Sequence, residues 1–193
     1  MYNYLGILSQ GLRIAPPEAP PTGYMFGKGV YFADMFDKSF AYANRGYEQQ
    51  DSFLMLLCEV VLGKSRELHS AEYIEKIDHP FSSVKGCGRR GPGYKHTVTC
   101  PNGVKIPLGK VINYEEGKPA QKLFVLEHNE YIVYNTSQIR MRYIVQIQKK
   151  KDDKKSKWEL KRKNPEWLSI ELLNSCYIFF SGLLILILLV HHC

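Results

Sequence analysis

The apolar residues of this chain fall mainly into short runs, which are typical of β-strands. The longest run of this kind, 53–63, is almost continuously apolar and ends at a glycine, so it predicts a strand buried on both faces. Shorter runs at 29–34 and 130–134 predict two further strands. A Pro-Asn-Gly turn between two β-like runs predicts a hairpin over 96–108.

The segment 138–148 shows the clearest alternation of apolar and polar residues in the chain. Its alternating apolar positions are Ile139, Met141, Tyr143, Val145 and Ile147. Because successive side chains of a strand point to opposite faces, this pattern predicts a half-buried strand with one face in water.

Helical signals are fewer than strand signals. The segment 3–11 predicts a short helix or turn, and 37–47 predicts a helix with Asp37 as its N-cap. The segment 15–23 has four prolines in nine residues, so it predicts an ordered loop or extended chain. The glycine-rich segment 82–93 predicts a loop. Many strands, few helices and no βαβ rhythm favour an α+β fold over a doubly wound α/β fold.

Charge and hydropathy both change near the C-terminus. The segment 149–163 carries a net charge of +6 out of the formal +7 of the chain, so the preceding residues are nearly neutral. A basic, solvated linker is predicted for 149–171. It is followed by 172–190, which is 19 residues without a charge and long enough to span a membrane, since spanning needs roughly 17 to 25.

Three interpretations of 172–190 remain open on the sequence alone. The first is a C-terminal membrane anchor whose preceding lysines face the cytoplasm. The second is a buried core helix, and the third is translated non-coding sequence. The pI of 9.1 reflects the basic linker, so it does not predict a nucleic-acid-binding face on the globular part.

The cysteines argue against a disulfide framework and against a structural zinc site. There are five of them, an odd number, and none forms a CxxC pair. This usage is typical of a reducing compartment, either cytosol or nucleus. We therefore predict no metal site, and the opening residues show no secretory signal.

The stretch 23–39, GYMFGKGVYFADMFDKS, contains the candidate chemistry. It matches neither GxxxxGK[ST] nor GxGxxG, so a phosphate-binding loop is not predicted. Gly29 allows close backbone approach, and Tyr31 follows it on a strand. Ser39 and Tyr42 are three residues apart and share one face of the predicted helix. An aromatic slot with a hydroxyl at its edge would suit a planar cation such as the nicotinamide of NAD.

These motifs carry a family resemblance. GLRIAPPEAPPTGYMFGKGVYFADMFDKS, 11–39, closely resembles the catalytic domain of the poly(ADP-ribose) polymerases, especially the DNA-damage-dependent branch. NEYIVYNTSQIRMRY, 129–143, resembles the region around that family's catalytic glutamate. VKGCGRRGPG and VKIPLG lie between them in the expected order. The resemblance covers about 3–148, and we interpret 1–148 as a partial catalytic domain.

The resemblance implies an ADP-ribosyltransferase-like fold of mixed, mainly antiparallel sheets, N-terminally truncated and here followed by a C-terminal hydrophobic helix. It implies transfer of ADP-ribose from NAD to protein acceptors and to growing poly(ADP-ribose), with nicotinamide released. By position in the motifs, its implied catalytic residues are Glu130, Tyr31 and Lys38. Its implied NAD-binding residues are Ser39, Tyr42, Tyr31, Gly29, Arg13 and Tyr24.

The chain also departs from the family pattern. A His-Gly pair is expected a few residues before Asn3, and no histidine precedes His69. We therefore expect weak NAD binding and poor or no turnover by the 193-residue chain. The alternative is a non-enzymatic, membrane-tethered module of the same fold. The family resemblance implies a nuclear location and a link to DNA repair, with DNA bound only through domains absent here.

Overall fold

Strands dominate the part of the chain that the structure, a computed structural model, describes. That part comprises residues 2–20, 22–43, 52–114, 124–150, 157–160, 185–186 and 188–191. The helices are α1 (Tyr2–Gln10) and α2 (Phe36–Ala43), with short 3-10 helices at Tyr94–His96 and Thr136–Gln138. The strands are β1 (Val30–Ala33), β2 (Ser52–Val61), β3 (Ser65–Leu68), β4 (Ser83–Gly86), β5 (Gly88–Pro92), β6 (Thr97–Thr99), β7 (Lys105–Pro107), β8 (Val111–Asn113), β9 (Leu126–His128), β10 (Glu130–Val133), β11 (Ile139–Lys150), β12 (Lys157–Leu160), β13 (Ile185–Leu186) and β14 (Leu188–His191). The α+β class is confirmed.

The candidate catalytic strands lie side by side in one five-stranded sheet, ordered β13-β1-β10-β4-β3 and called here the site sheet. Strand β10 is antiparallel to both β1 and β4, with Tyr31 opposite Ile132 and Phe32 opposite Tyr131. Because side chains alternate along a strand, Tyr31 and Glu130 lie on one face of this sheet. Phe32 and Tyr131 lie on the other face.

A six-stranded sheet, ordered β12-β11-β2-β14-β7-β6 and called here the large sheet, packs against the site sheet. The apolar core between the two sheets contains Phe32, Val133, Leu56, Cys58 and Val60, all 2 % exposed or less. The predicted double burial of β2 is confirmed, because adjacent residues of this strand are buried on both faces. Burial of these side chains is the main stabilising contribution at this interface.

The predicted loop over 82–93 is wrong, since this segment forms β4 and β5. Strand β4 pairs with β3 and β10, and β5 pairs with β8 and β9 in a third, three-stranded sheet, called here the small sheet. Glycine is required here by packing: a Cβ on Gly86 would lie 2.5 Å from Phe26 Cε2, and one on Gly88 would lie 2.2 Å from the His128 carbonyl carbon. The glycines that suggested turns instead allow strands to pack closely.

The alternation predicted along 138–148 holds as far as Met141 and is reversed beyond it, so Val145 and Ile147 pack in a different cluster from Ile139 and Met141. Strand β11 pairs antiparallel with β2, and a bulge lies between Met141 and Tyr143. The extra residue, Arg142, donates from Nε to Glu59 Oε2 at 2.6 Å. Beyond the bulge the phase is reversed, so Tyr143 is 43 % exposed and Ile144 packs on the core instead. The bulge explains this error, because one inserted residue inverts the facing of those that follow.

Four smaller predictions are confirmed. Helix α1 occupies the predicted helical segment, 29–34 and 130–134 contain β1 and β10, and β6 and β7 form the predicted antiparallel hairpin. Helix α2 is also present, although Asp37 is not its N-cap. The helix begins one residue earlier, at Phe36, which leaves Asp37 in the first turn, where its charge favours the helix dipole. Residues 44–47 of the predicted helix lie outside the described residues.

The prediction of a C-terminal hydrophobic helix is wrong for those of its residues that the structure describes. Ile185–Leu186 and Leu188–His191 are strands, parallel to β1 and β2 respectively. β-branched and leucine-rich runs are compatible with a buried strand as well as with a helix, so the apolar run did not decide between them. Residues 172–184 and 187 lie outside the described residues. Among described residues, no helix combines the length and hydropathy needed to cross a membrane.

Candidate active site

Tyr31 is held by its hydroxyl at one side of the candidate site. The hydroxyl donates to the Gly27 carbonyl oxygen at 2.7 Å and accepts from the Phe26 backbone N–H at 3.0 Å. Burial raises the pKa of Tyr31, and the nearby Glu130 carboxylate acts in the same direction. Tyr31 is therefore a fixed, neutral ring on the same face of the site sheet as Glu130.

Glu130 and helix α2 form the polar centre of the site. Glu130 is the first residue of β10 and is 4 % exposed. Its Oε1 lies 2.6 Å from Lys38 Nζ, an ion pair in which both side chains are largely removed from water. Lys38 Nζ also lies 5.8 Å from the centroid of the Tyr42 ring, a distance suited to cation–π attraction. The structure thus brings Glu130 of β10 next to Lys38 and Tyr42, which lie one turn apart on helix α2.

Ser39 occupies the same helix and carries an unsatisfied group. The residue is fully buried, and within the described residues its Oγ has no hydrogen-bonding partner. A buried hydroxyl without a partner costs about 1–3 kcal/mol, so such groups are rare unless a ligand or water completes them. The hydroxyl fits a ligand with a polar group such as a carboxamide.

The glycines of the 23–39 stretch shape the loop that supports Tyr31. Gly27 has φ of 86°, and a Cβ there would lie 1.8 Å from the Ile74 carbonyl oxygen. A Cβ on Gly29 would lie 2.5 Å from Ile132 Cγ2, so Gly29 lets the chain pack against β10. These contacts give both glycines a packing role. The assignment of Gly29 to NAD binding remains a prediction.

Lys28 ties the proline-rich loop to this stretch. Its Nζ donates to three backbone carbonyl oxygens, at 2.9 Å to Pro16, 2.5 Å to Pro17 and 2.6 Å to Ala19. Proline has no backbone N–H, so the carbonyl oxygens of a proline-rich loop have few backbone donors nearby. The Lys28 ammonium group supplies donors to these carbonyl oxygens instead. Nothing in the sequence next to Lys28 indicates that it contacts these carbonyl oxygens, which lie 9 to 12 residues away.

The two outermost predicted ligands lie at the edge of the site. The Tyr24 ring is half-buried, with its centroid 6.4 Å from that of Tyr31 at an interplanar angle of 46°. Arg13 is exposed in the segment after α1. Tyr24 therefore lies next to the predicted slot, whereas the contact of Arg13 with a diphosphate stays a prediction.

A buried network behind Glu130 was missed by sequence reasoning. Asp34 Oδ2 accepts from Asn129 Nδ2 at 2.9 Å and from the Tyr131 hydroxyl at 3.0 Å. Asn129 Oδ1 in turn accepts from the Gly88 backbone N–H at 2.9 Å. The network links the residue after β1 to both neighbours of Glu130, and so fixes where β10 begins. Each residue lies in a motif considered above, but polar residues at strand ends give no sequence signal of pairing across 95 residues.

Because the Asp34 carboxyl is buried, we expect it to make the stability of the fold depend on pH. Burial raises its pKa above the ordinary value of 3.8, although the hydrogen bonds from Asn129 and Tyr131 oppose this. The folded chain therefore holds the proton more tightly than the unfolded chain, and the resulting stabilisation is lost as pH rises through the folded pKa. Asp34→Asn resembles the protonated form and lacks this loss. We expect the free energy of unfolding of wild type, relative to Asp34→Asn, to fall as the pH rises from the ordinary pKa of 3.8 towards neutrality.

Urea denaturation of both chains across that range measures this difference, because other titrating groups cancel between them. Glu72→Gln serves as the control, since Glu72 pairs with Arg66 in an exposed ion pair and should show no comparable trend. A difference between wild type and Asp34→Asn that stays constant or grows with pH would contradict the raised pKa.

Comparison with known proteins identifies the family of this fold. The family model described as the poly(ADP-ribose) polymerase catalytic domain matches residues 1–149. The chain is 50% identical over 148 residues to poly [ADP-ribose] polymerase 2 of Arabidopsis thaliana, covering 75% of this chain and 22% of the relative. It is 53% identical over 146 residues to poly [ADP-ribose] polymerase 1 of Danio rerio, covering 75% and 14%. It is 48% identical over 151 residues to poly [ADP-ribose] polymerase 2 of Homo sapiens, covering 77% and 25%.

These findings place the chain in the ADP-ribosyltransferase class of catalytic domains. Within that class, the chain belongs to the poly(ADP-ribose) polymerase catalytic domain family. The predicted family is confirmed. The chain spans a quarter or less of the length of these curated relatives.

Proposed function

We propose that this chain is an NAD-dependent ADP-ribosyltransferase that transfers ADP-ribose to protein acceptors and to growing poly(ADP-ribose). The observation that carries the proposal is the buried Glu130 carboxylate, 2.6 Å from Lys38 Nζ and beside the Tyr42 ring. This is a site that holds a cation against a carboxylate and an aromatic ring. NAD presents such a cation in its nicotinamide ring and develops another at the ribose during transfer.

The reaction breaks the bond between the ribose C1′ and the nicotinamide nitrogen, and both bonding electrons leave with nicotinamide, which becomes neutral. Positive charge is left on the ribose C1′ and ring oxygen, as in glycoside transfer. The Glu130 carboxylate would stabilise that charge. An acceptor oxygen then bonds to C1′ and loses its proton, for which Glu130 is the nearest candidate base.

The remaining site residues fit binding roles. Ser39 has a buried hydroxyl without a partner among the described residues, which fits hydrogen bonding to the nicotinamide carboxamide. Tyr31 and Tyr42 supply the aromatic walls. Lys38 pairs with Glu130, so it would have to share or release this carboxylate when the ribose binds.

We propose further that the 193-residue chain alone binds NAD weakly. The family pattern places a His-Gly pair before Asn3, and the sequence given contains no histidine before His69. Positioning of reactants contributes up to roughly 7–11 kcal/mol in well-oriented systems, so losing part of the donor site is costly. The family resemblance is also the basis for proposing what the chain acts on and where. We propose that it modifies protein acceptors and poly(ADP-ribose), and that it acts in the nucleus in DNA repair. Imaging of the tagged chain would distinguish a nuclear from a membrane location.

A labelled-substrate assay tests the proposal. NAD labelled in the adenylate or in the nicotinamide is incubated with the 193-residue chain, and with the same chain extended N-terminally by the matching segment of the Arabidopsis relative. We expect adenylate label on protein and nicotinamide label in solution, with much faster transfer by the extended chain. NAD binding without transfer by the extended chain would overturn the enzyme proposal and favour the non-enzymatic module. Equal rates for the two chains would overturn the proposed weakness of the short one.

A further inference from the structure

A cavity lined by residues of all three sheets lies outside the candidate active site. It has a volume of about 720 Å³. This is within the range of roughly 300–1,000 Å³ that is usual for small-molecule sites. Tyr131 and Lys85, opposite each other on β10 and β4, line it from the site sheet. Because Glu130 precedes Tyr131 and faces the other way, the cavity lies on the face of the site sheet opposite Glu130.

The β6–β7 hairpin turns polar side chains towards the interior cavity, where a hydrophobic core would have apolar ones. Thr99 lies opposite Lys105 across the hairpin, and both line the cavity, as does Thr97. The alternate pair, Val98 and Ile106, faces the other way, and Val98 is 48 % exposed. A hairpin normally turns its apolar residues inwards and its polar residues to water. The hairpin therefore turns Thr97, Thr99 and Lys105, together with Pro107, towards the cavity, a largely polar lining that suits a polar ligand.

The charges around the cavity favour an anion. Three lysines line it: Lys64, Lys85 and Lys105. Lys85 pairs with Glu67 at 2.8 Å, whereas Lys64 and Lys105 have no ion pair among the described residues. The other acidic lining residue, Asp34, is buried and already accepts from Asn129 and Tyr131. Lys64 Nζ lies 5.4 Å from the centroid of the Phe81 ring, and within the described residues neither it nor Lys105 pairs with a carboxylate, so both ammonium groups can pair with an anion such as a diphosphate.

An aromatic ring lines the same cavity. Tyr94 lines the cavity, is 57 % exposed, and stacks on Tyr114 with centroids 5.8 Å apart and planes at 13°. A ring held by a stacked neighbour is well placed to stack with a planar base. The threonine hydroxyls can bind ribose hydroxyls. Anionic, hydroxyl and aromatic recognition occur together in few ligand classes, of which nucleotides are the commonest.

We propose that this cavity is a second ligand site, which binds a nucleoside diphosphate unit through Lys64, Lys105 and Tyr94. The ligand class is inferred from the cavity and does not depend on NAD chemistry. That the natural ligand is an ADP-ribose unit of the polymer product rests on the proposed function. A site for product on the face opposite Glu130 would retain a growing chain while its end is extended.

The test is titration of the 193-residue chain with ADP-ribose and with inorganic pyrophosphate, followed by calorimetry and by amide NMR shifts. We expect both probes to shift the amide resonances of Thr97 and Thr99. The double substitution Lys64→Gln/Lys105→Gln should lower the binding affinity for both probes by about tenfold or more, since hydrogen bonds to charged groups are lost. Tyr94→Leu should lower the binding affinity for ADP-ribose but not for pyrophosphate. Lys76→Gln, an exposed lysine outside the cavity, is the matched control and should change neither.

Melting curves establish that each variant is folded, and the Tyr94 variant tests the site without altering its charge. Shifts confined to Tyr31, Ser39 and Glu130, or unchanged binding by the double lysine variant, would overturn the second site. Shifts at Thr97 and Thr99 without any near Ser39 would support the second site while counting against the proposed donor site. Short poly(ADP-ribose) binding more than about tenfold tighter than ADP-ribose would identify the polymer as the source, and equal binding would identify a free nucleotide.

Discussion

Replacing Glu130 with glutamine should lower ADP-ribose transfer by about a hundredfold or more, the usual loss when a group that stabilises transition-state charge is removed. The substitution keeps the shape of the side chain and removes only its charge. Lys38 Nζ then faces a neutral amide instead of a carboxylate at 2.6 Å. The developing positive charge on the ribose loses its nearest counter-charge, so the chemical step slows while NAD affinity changes much less.

The measurement is the rate of label transfer by the N-terminally extended chain, with NAD binding measured in parallel. Glu127→Gln is the matched control, because Glu127 is an exposed carboxylate close in sequence that pairs only with Arg89 and Arg90 among the described residues. A fall of less than about tenfold for Glu130→Gln, with the protein still folded, would remove Glu130 from its catalytic role.

The local parts of the site could be predicted from sequence because their signals are local. Tyr31 lies on a strand with a clear β pattern, and Ser39 and Tyr42 share a helix face through simple spacing. Pairing of this face with Glu130 could not be derived from pattern, since 92 residues separate Lys38 from Glu130. That pairing came from family resemblance, and the 2.6 Å ion pair shows its geometry.

The errors arise where packing overrides local preference. Glycine favours turns in isolated sequence, yet Gly86 and Gly88 lie in strands because neighbouring atoms leave no room for a Cβ. The bulge before Tyr143 reverses a regular alternation so that Arg142 can reach Glu59. The pairing of Asp34 with Asn129 had no signal in the sequence, because the two residues meet only in the folded chain. In each case the deciding contact comes from a distant segment.

Gly27→Ala should destabilise the fold by about 3 kcal/mol or more, the sum of a left-handed backbone penalty and an overpacking penalty. Gly27 has φ of 86°, which costs roughly 1–2 kcal/mol for a residue with a Cβ. The added methyl would also lie 1.8 Å from the Ile74 carbonyl oxygen and 2.7 Å from its carbonyl carbon. Backbone atoms cannot rotate away as a flexible side chain can, so one of the two segments must move.

Gly23→Ala separates the two contributions. Gly23 lies in the same stretch with φ of 91°, but a Cβ there would meet no atom within 4 Å, so only the backbone penalty of about 1–2 kcal/mol is expected. Urea denaturation of both variants gives the comparison, and a difference below about 0.5 kcal/mol would contradict the clash with Ile74. The loss should also reach the site, because the Tyr31 hydroxyl donates to the Gly27 carbonyl oxygen and accepts from Phe26. Nicotinamide should therefore bind more weakly to Gly27→Ala than to Gly23→Ala, even at temperatures where both variants remain folded.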